Sequence, residues 1–364
     1  MKTYPIPMVP GPVQQPPEVL KALKTSYGSP DIELDFLQVY NQTEKYLQEI
    51  YATQHSIVIM TGEGMLALWA ALKNCLLPGD RVLAISTGLF GHGLGEMAQS
   101  LGADVRFVEF SFNETVHQFE RIEQAIIEFK PKMITIVHCE TPSGTLNPLQ
   151  EVGELKQKYD VPLLIVDSVA SAGGALLLTD TWHIDMALGG GQKCLSATSG
   201  MSFTTVSPKA WEIISEVNYV GYDALKPFQH AQENFYFPYT PNWHGMAALQ
   251  AGAKKILDEG LAHVLARHEK VAHTTRERVS KMGLSLFPDP QAIQSPTVTA
   301  INVPDNTTWE TLDKEFRKHG LVVGGNYGPL AGKVFRLGHM GVQADQKLVK
   351  RALDIIESVV KKVL

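Results

Sequence analysis

Cysteine is scarce: Cys75, Cys139 and Cys194 are the only three in 364 residues. They lack the close spacing of a metal-ligand set. So sparse and odd a set fits a reducing compartment better than a disulfide framework. Charge of one sign is also lacking. The formal net charge is −6, with acids and bases interspersed, which argues against a nucleic-acid surface. No apolar run approaches the ~20 residues that span a bilayer. The start Met1-Lys2-Thr3-Tyr4-Pro5 carries no apolar signal region. Internal repeats and low-complexity tracts are absent. The expectation is a soluble cytoplasmic chain with no membrane or nucleic-acid partner. Its length allows a large core divided between two domains.

Proline, in contrast, is concentrated. Six prolines fall in residues 4–17, including Pro10-Gly11-Pro12, and predict an extended arm. Helical spacing of Phe36, Tyr40, Leu47, Ile50 and Tyr51 predicts an amphipathic helix over 35–53. From Ser56 the pattern alternates. Strands are expected at 56–60, 81–85, 105–108, 133–137, 163–166 and 201–206. Helices are expected at 66–72, after Gly88, near 116–129 and 148–159, and near 208–217. Such alternation predicts an α/β fold, a mostly parallel sheet with helices on both faces. An irregular stretch follows to about Pro241, then a long helix over 244–282, broken near Glu259-Gly260. The remainder, with strands at 298–303, 321–323 and 334–337 and helices at 309–319 and from 344, reads as a smaller C-terminal α/β unit.

One stretch organises the rest. Residues 185–190 form a short apolar run ending in glycine, and Gly189-Gly190-Gly191 precede Gln192-Lys193. Glycines let backbone approach a ligand closely. A partly buried lysine there becomes a nucleophilic amine. Asp167 closes the upstream run Leu163-Leu164-Ile165-Val166. An acid at a strand end paired with a lysine suits a pyridine cofactor: the acid keeps the ring nitrogen protonated and the lysine forms a Schiff base with the aldehyde. The turn Thr61-Gly62-Glu63-Gly64-Met65 precedes a helix start and reads as an anion cradle. Gly62, Phe90, His138 to Gly144, Asp167 and Lys193 all fall at or past strand carboxyl ends, where such sheets bind ligands. Arg336 could hold a carboxylate bidentately. Each has a plainer reading alone: the arm a tether, Lys193 a solvated lysine, Asp167 a strand-end cap, Arg336 a surface salt bridge. Their common placement favours the site.

In these motifs, with His138-Cys139-Glu140-Thr141-Pro142-Ser143-Gly144, Asp167-Ser168-Val169-Ala170-Ser171, Phe237-Pro238-Tyr239-Thr240-Pro241 and Arg336-Leu337-Gly338, the chain resembles class V aminotransferases of the alanine–glyoxylate and serine–pyruvate type. The resemblance runs nearly end to end. It implies fold type I of the pyridoxal-phosphate-dependent transferases, with an arm at 1–15, a large coenzyme-binding domain at 16–255 and a small domain at 256–364. It implies transfer of an amino group from a small amino acid to a 2-oxo acid such as glyoxylate or pyruvate. In that scheme Lys193 carries the Schiff base and shuttles the proton, and Asp167 pairs with the ring nitrogen. Phe90 stacks on the ring and Thr141 bonds near its hydroxyl. Gly62, Glu63, Gly64, Met65, Gln192, Phe237 and, from a partner subunit, Thr240 surround the phosphate. Gly11 and Arg336 meet the substrate. A site shared across subunits implies a homodimer.

Two positions depart from the pattern. Most relatives carry a small neutral residue at Glu63 and tyrosine at Phe237. A carboxylate beside a phosphate is repulsive, and a lost hydroxyl is a lost donor. Pyridoxamine–pyruvate transaminase shares the Gly62-Glu63 feature and uses unphosphorylated pyridoxamine as a substrate, so it is the alternative reading, with pyridoxal or pyridoxamine bound in place of the phosphate ester. That enzyme has a second arginine in the loop before Arg336. Here Gly325-Asn326-Tyr327-Gly328-Pro329 has none, and Gln192, a phosphate-side residue, is kept. Glu63 could also turn into solvent. A cysteine desulfurase on the same fold needs a cysteine in the C-terminal half, and none follows Cys194. Retention of both Lys193 and Asp167 argues against a non-catalytic binding protein.

Overall fold

A computed structural model describes residues 4–363; the reading of Met1, Lys2 and Thr3 lies outside them. The chain opens with strand β1 (Ile6–Met8) and helices α1 (Pro17–Lys24) and α2 (Leu34–Tyr51). The alternating region follows as β2 (Ser56–Thr61), α3 (Gly64–Cys75), β3 (Arg81–Ser86), α4 (Leu89–Ser100), β4 (Asp104–Glu109), α5 (Phe119–Phe129) and β5 (Met133–Val137). A small hairpin of β6 (Cys139–Glu140) and β7 (Thr145–Leu146) leads to α6 (Gln150–Lys158), β8 (Leu163–Asp167), β9 (Met186–Gly190), β10 (Met201–Val206) and α7 (Pro208–Val217).

Seven strands form the central sheet, in the order β2-β10-β9-β8-β5-β3-β4. Only β10 runs against its neighbours; β8 is parallel to β5 and β9, with Asp167 opposite Val137 and Leu188. Every residue of β5, β8 and β9 is buried. That is why these strands read as continuous apolar runs rather than alternating ones: helices cover both faces. Helix α3 buries Ala67, Leu68, Ala70, Ala71 and Leu72, so its apolar character extends around most of its circumference.

The short α8 (Ala231–Asn234) lies in the stretch expected to be irregular. Helices α9 (Trp243–Glu259) and α10 (Leu261–Lys281) follow. The expected break falls at Gly260, whose φ of +88° ends one helix and starts the next. The chain finishes with β11 (Val298–Asn302), α11 (Trp309–Lys318), β12 (Leu321–Val323), β13 (Val334–Gly338) and α12 (Gln346–Val363). These elements enclose a second core around Phe316, Phe335, Leu337 and Leu353, each fully buried. Strand β1 belongs to it: Ile6 and Met8 pair in parallel with Leu321 and Val323. Helix α1 did not stand out in the sequence because it begins in the proline-rich arm. Pro17 occupies its first turn, where a missing N–H costs nothing.

Candidate active site

The parallel strands bring their carboxyl ends to one edge, and the residues following them converge. Glu63, Gly64 and Met65 follow β2, and Phe90 lies in the first turn of α4 after β3. Thr141 follows β5, Asp167 ends β8, and Gln192 and Lys193 follow β9. All eight line one cavity of about 240 Å³. A wider groove of about 660 Å³ opens at the amino-terminal ends of β3, β5 and β8. There Lys132 is paired with Asp80 at 2.6 Å, and none of the residues expected to form the site lines the groove, so size does not identify the site.

Lys193 reaches back to the arm. Its Nζ donates to the carbonyl of Pro10 at 2.6 Å. Burial pulls its pKa below the ordinary amine value, and the charge of Arg336 adds to the effect. Both effects disfavour the charged form of the amine. Gly11 lies over the same side chain with φ +92°; a Cβ there would stand 2.5 Å from Lys193 Cδ and 2.7 Å from Nζ. Asp167 Oδ1 accepts from Val169 N at 2.9 Å. Burial pushes its carboxyl up to about 6, against the opposing pull of the Val169 N–H and of Lys193. A cationic group placed beside it would offset such desolvation.

Glu140 belongs to the His138–Gly144 motif, where its sequence position alone assigns it no role. It is fully buried, and its carboxylate accepts from Phe90 N at 3.2 Å and Gly91 N at 2.6 Å. It thus caps α4 and fixes the turn that carries Phe90. Burial pushes it up to about 7. An acid inside the run between β5 and the Thr141 turn was the available signal.

At the other end of the cavity Glu63, though exposed, turns its carboxylate toward Gln192. It caps α3, accepting from Met65 N at 2.9 Å through Oε1 and from Gln192 Nε2 at 3.1 Å through Oε2. The positive end of the helix is therefore already facing a carboxylate. Gln192 Oε1 is buried without a partner, so this corner presents acceptors. Gly190 permits the arrangement: a Cβ there would stand 2.7 Å from Gln192 Oε1 and 3.1 Å from Gly64 Cα. Gly62 holds φ +154° and donates its N–H to Gly200 O at 2.9 Å.

Arg336, on β13, does not line the 240 Å³ cavity, although its field reaches Lys193. Its Nε and Nη2 donate to Gly325 O at 2.9 and 2.6 Å. Phe237 and Thr240 do not line the cavity either. The Phe237 ring packs edge-on to Phe36 and tilted against Tyr40 in the main core. The residues present fit a pyridoxyl group: an amine, a ring-nitrogen partner and an aromatic wall share one cavity, while the capped helix start opposes a phosphate.

The Aminotransferase class-V family model matches residues 9–332. An uncharacterized aminotransferase of Methanocaldococcus jannaschii is 34% identical over 94% of this chain and 89% of its own length. The pyridoxamine–pyruvate transaminase of Mesorhizobium japonicum is 31% identical over 92% of this chain and 86% of its own. The crystal structure of ureidoglycine–glyoxylate aminotransferase from Bacillus subtilis superposes with a TM-score of 0.95 at 31% identity, covering 100% of this chain and 94% of that one. The fold is that of the pyridoxal-phosphate-dependent aminotransferases, and the chain belongs to the class-V aminotransferase family.

Proposed function

We propose that this aminotransferase moves an amino group from a small amino acid to a short 2-oxo acid of the glyoxylate or pyruvate type. One observation carries the reading: a half-buried Lys193 with a depressed pKa shares a cavity with the buried carboxylate of Asp167. When bound, the pyridoxal coenzyme supplies the electron sink. Asp167 keeps a proton on the ring nitrogen, and Phe90 covers a ring face. Lys193 Nζ, whose charged form burial and Arg336 disfavour, takes and returns the proton of the substrate α-carbon. Arg336 holds the α-carboxylate, and the Pro10–Pro12 arm shields the amine from water. Borohydride reduction and peptide mapping should place the pyridoxyl label on Lys193; a label on another lysine removes the assignment. The division into an arm at 1–15 and domains at 16–255 and 256–364 belongs to the same reading. So does a homodimer, in which Thr240 serves the partner's cavity.

The Glu63 carboxylate, turned toward Gln192, favours a second reading, in which the enzyme transfers the amino group of free pyridoxamine to pyruvate. A carboxylate accepts a hydrogen bond from a neutral hydroxymethyl group and repels a phosphate. The mass of the ligand released on denaturation, with turnover of pyridoxamine and pyruvate, separates the two. Tightly held pyridoxal phosphate without pyridoxamine turnover eliminates the second. Absence of turnover with alanine or serine and either oxo acid eliminates the first.

A further inference from the structure

The connection between β12 and β13 does more than join two strands. It ties Arg336 to the wall of the cavity. Asn326 Nδ2 donates to the carbonyl of Pro142 at 2.7 Å, beside Thr141. The next residue, Tyr327, touches both sides. Its ring lies edge-on to Phe90, with centroids 6.2 Å apart and planes at 82°, and the Arg336 guanidinium carbon sits 5.0 Å from its centroid. In the sequence this loop stands out only for the arginine it lacks.

We propose that Tyr327 is a specificity-determining residue that restricts the oxo acid to a short monocarboxylate. The inference rests on Arg336 being the carboxylate-binding group. The Arg336 fork is partly committed, since Nε and Nη2 both donate to Gly325 O. The Tyr327 ring covers one face of the guanidinium. The remaining N–H groups suffice for one carboxylate. A second carboxylate, on a longer oxo acid, would meet the phenol ring. Residues 324–332 contain no lysine, arginine or histidine to receive it. Beyond Lys193, the charged side chains lining the cavity are the acids Glu63 and Asp167, which offer no second anchor for an anion. The aromatic wall between Phe90 and Arg336 is thus both a steric limit and an uncharged one. Tyr327 is 45% exposed, so replacing it leaves both cores intact.

The test uses holoenzyme and two oxo acids, pyruvate and its dicarboxylic counterpart oxaloacetate, with a common amino donor. Tyr327→Arg should shift the ratio of kcat/KM toward oxaloacetate by about 10-fold or more, the worth of one charge-assisted pair. Tyr327→Ala should weaken pyruvate use roughly 2- to 30-fold, as expected for loss of the cation–π contact. Tyr327→Phe, which keeps the ring, should retain most of the discrimination. Calorimetric titration with the unreactive acids propionate and succinate gives a readout without turnover. Wild type should prefer propionate, and Tyr327→Arg should reverse the order. Wild-type turnover of pyruvate with a ratio and a binding order unchanged in Tyr327→Arg overturns the inference alone. Propionate binding unchanged in Arg336→Lys overturns the carboxylate-site reading, and the inference with it.

Discussion

Replacing Glu63 by serine removes one negative charge from the start of α3 and leaves a hydroxyl that can still cap the helix. In the wild type the carboxylate lies 2.9 Å from Met65 N, the donor a phosphate oxygen would otherwise use. A phosphate at the same helix start would bring two anions to about 4 Å. Their repulsion is ~1 kcal/mol in bulk water and ~4 kcal/mol at an effective dielectric near 20. Glu63 is exposed in the single chain, so solvent and salt screening favour the lower value. That floor corresponds to about a fivefold change in affinity. Absorbance titration of the apoprotein with pyridoxal phosphate and with pyridoxal measures it. In Glu63→Ser the phosphate ester should gain at least about fivefold over the free aldehyde. Part of the gain comes from the released Gln192 amide, which now donates to Glu63 Oε2 at 3.1 Å and can turn to the ligand instead. A change in the ratio below about twofold, at low salt where the repulsion is least screened, refutes the electrostatic argument.

Arg336→Lys should cut kcat/KM for pyruvate by roughly 10- to 100-fold, because a point charge replaces a fork; steady-state kinetics checks it. Gly11→Ala puts a Cβ 2.5 Å from Lys193 Cδ at φ +92°, so turnover should fall steeply while the melting temperature of the core moves little. Phe237→Tyr should leave the preference for phosphate unchanged. Its hydroxyl would enter the cluster of Phe36 and Tyr40 and cost about 1–3 kcal/mol of stability if unpaired, readable by denaturant titration. Asp167 binds its proton more tightly folded than unfolded, with its pKa raised from 3.8 to about 6. Its contribution therefore favours the fold below ~pH 4 and is lost as pH rises through ~6. Glu140, raised from 4.5 to about 7, extends the same trend. Apoprotein should melt lower near pH ~8 than near pH ~6, and Asp167→Asn should reduce the difference.

The strands were legible where burial is two-sided. Leu163 to Val166 reads as one apolar run because both faces of β8 are covered, and Gly260 marked its own helix break. The reversed direction of β10 was not legible, since Met201 to Val206 has the same composition whichever way it runs. The position of Lys193 could be read from the glycines before it. Its chemistry depends on partners far along the chain: Pro10 lies 183 residues away, and the Arg336 charge that lowers its pKa comes from another element. Glu140 was missed for the same reason, because its donors are 49 and 50 residues upstream.

Glu63 is the instructive case. Glutamate is not among the residues that favour an N-cap, so its identity left two orientations open. The structure resolves them through a contact that local sequence does not encode. Gln192 follows β9, Glu63 follows β2, and only β10 separates the two strands in the sheet. Their side chains meet at the carboxyl edge 129 residues apart. The amide gives the second carboxylate oxygen a reason to turn toward Gln192, while the Met65 N–H holds the first. The same glutamine that reads as a phosphate ligand in the sequence is thereby committed to an acid. A residue's type marks it as a candidate, but which group it serves is decided by the neighbour that reaches it first.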